Sequence, residues 1–287
     1  MMAGRAADRS LQALRAYYGR GLERDRLAGA MGTVEFERTR EILLRHLPPP
    51  PCVVADIGGG AGRYARWLHD LGYFVRHRDI VPLHVEQLRA DATELQRIET
   101  AVGDARSLDL NDASVDAVLL LGPLYHLERR ADRLQALREA RRIARPGAPV
   151  FAAAISRWSP RLDDVLAKRL YESFPEALDF VTPVERSGRL PPLVPGSFCG
   201  YCHRPRQLRA EVRDAGLDVI SLVGIEGVSF LLNDLAERLG DPRARRVVFD
   251  GARAIESVPE LLGVSPHMLA TAVTGQRRPR ELPGSDR

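Results

Sequence analysis

The sequence predicts an α/β fold built on a doubly wound, mostly parallel sheet, and three observations carry that expectation. Short apolar runs alternate with helix-period segments from residue 52 to residue 155. A glycine-rich turn, Gly58-Gly59-Gly60-Ala61-Gly62, joins the first run to the first of those helices. Acids stand at or just beyond the ends of three successive runs, at Asp56, Asp79 and Asp104. Parallel strands need crossover connections, so helices are expected to cover both faces of the sheet.

Residues 9–31 and 35–47 read as mainly helical, with Leu11, Leu14 and Tyr18, then Ile42, Leu43 and Leu47, at helical spacing. The Pro48–Pro51 run ends this segment, because proline lacks the amide a helix would need. Strands are expected at Cys52–Ile57, Phe74–Ile80, Thr100–Gly103, Asp116–Leu121 and Pro149–Ile155. Helices fall between them at Tyr64–Leu71, Leu83–Glu94 and Asp132–Ala144, the last stopped by Pro146-Gly147. A helix is expected over 160–173. The stretch 174–203 is then too rich in proline and glycine for a core element and reads as a lid. A helix at Pro205–Ala215, a strand at Asp218–Val223, helices near 230–240 and 242–257 and a last strand at His267–Val273 complete the pattern. The expected organisation is an N-terminal helical cap (1–47), one ligand-binding domain (48–275) with a lid-like insertion near 156–204, and a disordered polar tail (276–287).

Apolar residues make up 45% and charged residues 28% of 287, the balance of an ordinary soluble domain. No apolar run approaches the roughly 20 residues of a membrane span, and the N-terminus lacks the apolar core of a signal peptide. Three cysteines argue against a disulfide framework, and a cytoplasmic location is expected. The net charge of +4 hints at nucleic acid, but Lys168 is the single lysine among 42 basic residues. The densest basic run, Arg129 to Arg145, is interspersed with Asp132 and Glu139 and reads as a solvated helix face. Nucleic acid is therefore disfavoured as a partner.

Glycines in a strand-to-helix turn let the backbone approach a ligand beside a helix N-terminus. Two ligand classes compete. Gly60-Ala61-Gly62-Arg63-Tyr64-Ala65 fits the dinucleotide fingerprint, whereas Asp56 at the head of the turn suits a cationic ammonium better than an anionic pyrophosphate. Asp79, 23 residues on, can accept hydrogen bonds from ribose hydroxyls, and Asp104 is placed to meet an adenine amino group. All three acids would line one crevice at the carboxyl ends of the strands.

On these residues the chain resembles a class I methyltransferase dependent on S-adenosylmethionine (SAM), with a Rossmann-like fold. Asp56-Ile57-Gly58-Gly59-Gly60-Ala61-Gly62 is similar to the family's first motif, Asp79 to its ribose-binding acid and Gly103-Asp104-Ala105 to its adenine-side motif. Leu120-Leu121-Gly122-Pro123-Leu124-Tyr125-His126-Leu127 occupies the place of the fourth motif, and Arg145-Pro146-Gly147 resembles the turn before the fifth strand. The resemblance covers residues 52–155 well and the final strands loosely. It implies SAM as cofactor, held by Asp56, Gly58, Gly60, Gly62, Asp79, Ile80, Asp104, Ala105 and Leu121. It also implies an N-terminal segment folded over the cofactor, where Tyr18 and Arg26 can meet the methionine carboxylate; Glu35 and Arg38 lie in the same segment.

For chemistry, His126 is the candidate base, with Tyr125 beside it; Tyr17, Phe198, Tyr201 and His203 are candidates to line the acceptor pocket. Cys199-Gly200-Tyr201-Cys202-His203 spells C-x-x-C-H, the pattern of a haem attachment, a redox dithiol or half a zinc site. With no thioredoxin-like context and Cys52 as the single further cysteine, coincidental spacing is favoured and no metal is expected. The expected function is methylation of a small molecule on O, N or C in specialised metabolism, with a homodimer left open. The fourth motif lacks the Asn/Asp-Pro-Pro-Tyr/Phe pattern of base-amino methylation, which weighs against RNA. An RNA methyltransferase, a dehydrogenase and a non-catalytic SAM-fold binding protein are the competing classes.

Overall fold

The apolar runs are buried on both faces because they pair as the central strands of one seven-stranded sheet. The structure, a computed structural model, describes residues 15–19, 27–91, 97–192 and 198–275. After helix α1 (Ala30–Leu44), strand β1 (Val53–Ile57) leads through α2 (Arg63–Asp70) to β2 (Phe74–Asp79), and α3 (Pro82–Asp91) leads to β3 (Ile98–Val102). The chain then crosses to the other side of β1 with β4 (Ala117–Leu120), a 3-10 turn (Pro123–His126), α4 (Arg130–Ile143) and β5 (Pro149–Ile155). A π-helical segment (Pro160–Ala167), α5 (Ala177–Ser187) and the short strands β6 (Arg189–Leu190) and β7 (Gly200–Tyr201) follow. The chain closes with α6 (Pro205–Asp214), β8 (Leu217–Gly224), α7 (Leu235–Gly240), α8 (Pro242–Ile255) and β9 (His267–Thr274).

The strand order is β3-β2-β1-β4-β5-β9-β8. Strands β1 to β5 are parallel, and β9 runs antiparallel to both β5 and β8. The order reverses between β1 and β4, and a crevice opens at the carboxyl ends of strands at such a switch point. Alternate residues feed two cores. Val118, Leu120, Val150 and Ala152 pack with Leu137 of α4 and Leu208 of α6. Leu119, Val75 and Phe151 pack with Ile42 of α1, Leu68 of α2 and Leu88 of α3 on the opposite face.

The sheet and its helices follow the expected alternation, and the insertion does not. Where 174–203 reads as irregular, α5 forms because Ala177 and Val181 bury against Val165 of the π-helical segment. Pro183 sits inside α5 on its exposed side, where a lost amide bond costs least. The continuous helix expected over 160–173 divides into the π-helical segment and a 3-10 turn, Leu170–Glu172. The expected tail lies outside the described residues.

Candidate active site

The glycine turn sits at the switch point. Gly58, Gly60 and Gly62 have φ of 68°, 58° and 82°, in the left-handed region that L side chains rarely adopt. A Cβ on Gly58 would lie 2.6 Å from Pro123 Cγ, so the turn and the loop after β4 interlock by virtue of that missing side chain. A Cβ on Gly59 would collide with the carboxylate of Asp56, which therefore lies directly beneath the turn. His77 braces the turn from β2: its Nε2 is 3.0 Å from the Gly60 carbonyl and its Nδ1 2.9 Å from Thr100 Oγ1. Burial pushes the His77 imidazole down to about 4, so a neutral ring donates to the carbonyl and accepts from the hydroxyl.

Asp56 and Asp79 are close neighbours with opposite tuning. Asp56 is 1% exposed, and neither carboxylate oxygen has a hydrogen-bond partner among the described residues. Burial, reinforced by the charge of Asp79, pushes its carboxyl up to about 7. Asp79 accepts from the Gly60 amide (2.8 Å), the Val81 amide (2.9 Å) and His84 Nδ1 (3.0 Å). Burial opposes its ionisation, but the hydrogen bond and charge of His84 and the Val81 amide hold its carboxyl below the usual range. An uncompensated buried carboxylate is costly, so Asp56 is poised to receive a cation. Because Asp79 shapes the turn itself, Asp79→Ala is expected to lower cofactor affinity about 100-fold, on the order of 2.7 kcal/mol. Calorimetric titration with S-adenosylhomocysteine checks this, and an unchanged affinity would remove Asp79 from the site.

Two adjoining cavities share Gly58, Gly60, Gly122 and Tyr125. One, of about 620 Å³, is lined by Tyr18, Asp79, Ile80, His84, Asp104, Ala105 and His126. The other, of about 740 Å³, lies towards β5 and β9 and is lined by Asp56, Leu121, Glu35, Ala153, Ile225 and His267, with Arg63 and Arg66 at α2.

The residues singled out in the sequence divide among these places. The glycine turn, Asp56, Asp79, Ile80, Asp104, Ala105, Leu121, Tyr18, Tyr125 and His126 converge on the crevice or its walls. Asp104 is held in a fork by Arg106, with Arg106 Nη2 2.6 Å from its Oδ2. His126 Nε2 is 2.9 Å from the Tyr18 hydroxyl, so this pair spans the smaller cavity. Tyr17 and Phe198 extend the aromatic cluster, Phe198 lying 5.1 Å from the His126 ring and 6.1 Å from that of Tyr17. Arg26 lies outside the described residues.

Tyr201 and His203 are placed elsewhere. Both are buried in a polar network in which Arg133 stacks 3.7 Å over the Tyr201 ring and His203 Nε2 lies 3.2 Å from Glu211. Arg38 is likewise committed, buried against Glu41, Glu256 and the Ile225 carbonyl. Cys202 is buried, and burial pushes its thiol up to about 12, opposite to the lowered value a redox thiol needs. Neither Cys199 nor Cys202 joins a group with metal-ligand spacing among the described residues.

Sequence reasoning passed over His84, which supports Asp79, and the group Glu226–His267 on the β9 side. His267 Nδ1 is 2.5 Å from Glu226 Oε1 and 3.9 Å from Glu35 Oε2. No motif marks that group; its one signal in sequence is a histidine opening the final strand.

Comparison with known proteins accords with this geometry. Residues 55–152 match the family model described as a methyltransferase domain. A ubiquinone/menaquinone biosynthesis C-methyltransferase of Acidiphilium cryptum is 34% identical over 139 residues, which is 47% of this chain and 53% of that relative. The chain thus spans about half the length of that relative. The putative methyltransferase solved with the Haloferax volcanii Trm112 methyltransferase activator superposes with a TM-score of 0.58 at 19% identity, covering 92% of this chain and 98% of that one. A geranyl diphosphate C-methyltransferase from Streptomyces coelicolor A3(2) superposes with a TM-score of 0.52 at 13% identity, covering 83% and 78%. The strand order and directions define a Rossmann-like α/β fold. Residues 55–152 are thus similar to a methyltransferase domain, and that segment carries the glycine turn and the three acids.

Proposed function

We propose that the protein methylates a small-molecule acceptor on O, N or C, in specialised metabolism and in the cytoplasm. The observation that carries the reading is Asp56: a buried carboxylate without a hydrogen-bond partner among the described residues, beneath a glycine turn, suits the cationic methionine end of SAM. When bound, SAM supplies a methyl group on a sulfonium, and its displacement is in line, so the protein's contribution is chiefly orientation. Asp56, the glycine turn and Leu121 would hold the methionine end; Asp79, Ile80, Asp104 and Ala105 would hold the ribose and adenine.

The larger cavity supports a small and partly apolar acceptor. Leu27, Ala153 and Ile225 contribute apolar wall, and the matched relatives act in quinone biosynthesis and on geranyl diphosphate by their names. The basic run of α4 supports the disfavouring of nucleic acid, because Arg133 pairs with Glu211, Arg142 with Glu139 and Asp112, and Arg145 with Asp116. Among the described residues no helix is long and apolar enough to cross a membrane.

Calorimetry with SAM and S-adenosylhomocysteine, followed by product mass shift on a panel of phenols, quinols, amines and prenyl diphosphates, tests the reading. It fails if neither cofactor form binds at micromolar concentration; binding without turnover would favour a non-catalytic SAM-fold protein. His126 faces the cavity of Asp79 and Asp104, which suits closure over the adenosine better than acid–base chemistry. We therefore expect His126→Ala to weaken SAM binding about tenfold through loss of the Tyr18 contact, roughly 1.4 kcal/mol. A lowered turnover with unaltered SAM affinity would instead return His126 to the role of base.

A further inference from the structure

The cavity towards β5 and β9 has a second chemical feature, on the part of its wall to which β9 contributes. β9 runs antiparallel to β5 and pairs His267 with Ile155, which brings His267 to the same rim as the carboxyl ends of the parallel strands. Its side chain is 23% exposed and lines the cavity together with Asp56 and Ala153. Glu226, 1% exposed, sits behind it. Glu226 Oε2 accepts from Ser265 Oγ (2.8 Å) and from the His267 amide (3.0 Å), while Oε1 lies 2.5 Å from His267 Nδ1. The Ser265 hydroxyl in turn accepts from the Glu226 amide at 3.0 Å.

These bonds bear on where the ring's proton sits. A carboxylate accepts and does not donate, so Nδ1 carries a proton towards Glu226, and the lone pair of the neutral imidazole is on Nε2. A carboxylate behind Nδ1 fixes the tautomer and makes Nε2 more basic. Two further acids surround the ring, Glu35 of α1 at 3.9 Å and Asp164 of the π-helical segment, whose carboxyl is influenced by the charge of His267.

We propose that Glu226 and His267 form an oriented proton-accepting dyad on the acceptor side of the crevice, with His267 Nε2 as the atom that receives the proton of an O–H or N–H acceptor. The inference rests on the methyl-transfer reading above. The acceptor proton passes to Nε2, and the pair left on oxygen or nitrogen forms the bond to the methyl carbon. The C–S bonding pair stays on sulfur, so the sulfonium charge is discharged and the new positive charge is on the imidazolium, facing Glu226. Glu226 acts through His267 and is a positioning residue.

The same group offers an alternative. Ligand atoms of Glu35, Glu226 and His267 all lie within 4.8 Å of one another, which is metal-site spacing. The donors already filling Glu226, from Ser265 and from both the amide and the ring of His267, favour the proton over a cation.

The test reads the imidazole directly in protein labelled with ¹⁵N-histidine, with and without S-adenosylhomocysteine, by long-range ¹H–¹⁵N correlation. The expected result is a neutral His267 protonated on Nδ1, and a Glu226→Gln variant in which the His267 pKa falls by about one unit, a tenfold change in proton affinity, while S-adenosylhomocysteine affinity stays within twofold. Ser265→Ala, a milder change, is expected to raise that pKa by leaving the Glu226 charge less compensated. A ring protonated on Nε2 would overturn the proposal, as would a pKa that neither variant moves, or a His267 signal bleached by micromolar Mn²⁺. Failure of S-adenosylhomocysteine to bind would strike the methyl-transfer reading alone, and the ring's tautomer would still decide the dyad.

Discussion

Asp56→Asn is expected to make the cofactor-free protein more stable above pH 7 and at the same time to weaken SAM binding. The Asp56 carboxyl is pushed up to about 7 by burial and by Asp79. Between the unfolded value near 4 and this folded value, the native state binds more protons than the unfolded state, so stability falls as pH rises. The penalty is absent below about pH 4 and fully present above about pH 7, where three units correspond to roughly 4 kcal/mol. An asparagine amide at the same place is still unpaired, so the net gain at pH 8 is expected to be about 1–3 kcal/mol. Thermal unfolding at pH 5 and pH 8 checks this: a drop in Tm with rising pH should be smaller in the variant. Cofactor affinity should move oppositely. A cation beside Asp56 binds its ionised form, so wild-type affinity should rise towards pH 7 and level off, whereas the variant should bind tenfold or more weakly with a flatter profile. Equal pH profiles in both proteins would show that Asp56 does not meet the cation.

Arg133→Ala carries the larger cost to the fold. Arg133 is 2% exposed and reaches four places: both oxygens of Glu211 (2.7 and 2.8 Å), the carbonyls of Leu127 and Glu128 (2.8 Å each), and the face of Tyr201. It thereby ties α4 to the 3-10 turn, to α6 and to β7. Removing it leaves Glu211 buried with His203 and with Arg130 at 4.0 Å, and loss of the main partner from such a pair costs about 3–5 kcal/mol. Although burial opposes it, Arg133 and His203 hold the Glu211 carboxyl down to about 2. That depressed value contributes stability above the unfolded pKa near 4.5 and loses it as pH falls towards 2. Denaturant midpoints at pH 7 and pH 3 should therefore differ less in the variant than in the wild type. The paired change Arg133→Met with Glu211→Leu is expected to recover much of the loss, since both charges are removed together. A single variant within 1 kcal/mol of wild type would show that the pair is solvated.

The proposed cofactor half of the site was legible as a cluster because its signals are local. A glycine turn after a strand, an acid at each of the next strand ends and a run of doubly buried strands are each written within a few residues. The acceptor half depends on long-range meetings. Nothing near Tyr201 and His203 shows that Arg133, about 70 residues earlier, and Arg157 will claim them, so their place beside a lid-like segment suggested a pocket. His267 and Glu226 lie at the two ends of the long helical connection from β8 to β9, 41 residues apart, with no spacing rule to join them. Helix α5 was hidden for a different reason. Pro183 and the short apolar repeat argue against a helix, and packing on Val165 outweighs that local preference.

The reversed direction of β9 divides inheritance along the chain. Residues up to 155 furnish the turn and its acids together with Leu27, Glu35 and Ala153, while Ile225 and His267 on the β9 side come from beyond 220. A chimera joined after Ile155 would keep one parent's turn and acids and acquire the other's Ile225 and His267, provided that β5 still pairs with the incoming β9. On the proposed reading, part of the acceptor wall can then change while the cofactor turn stays as it is.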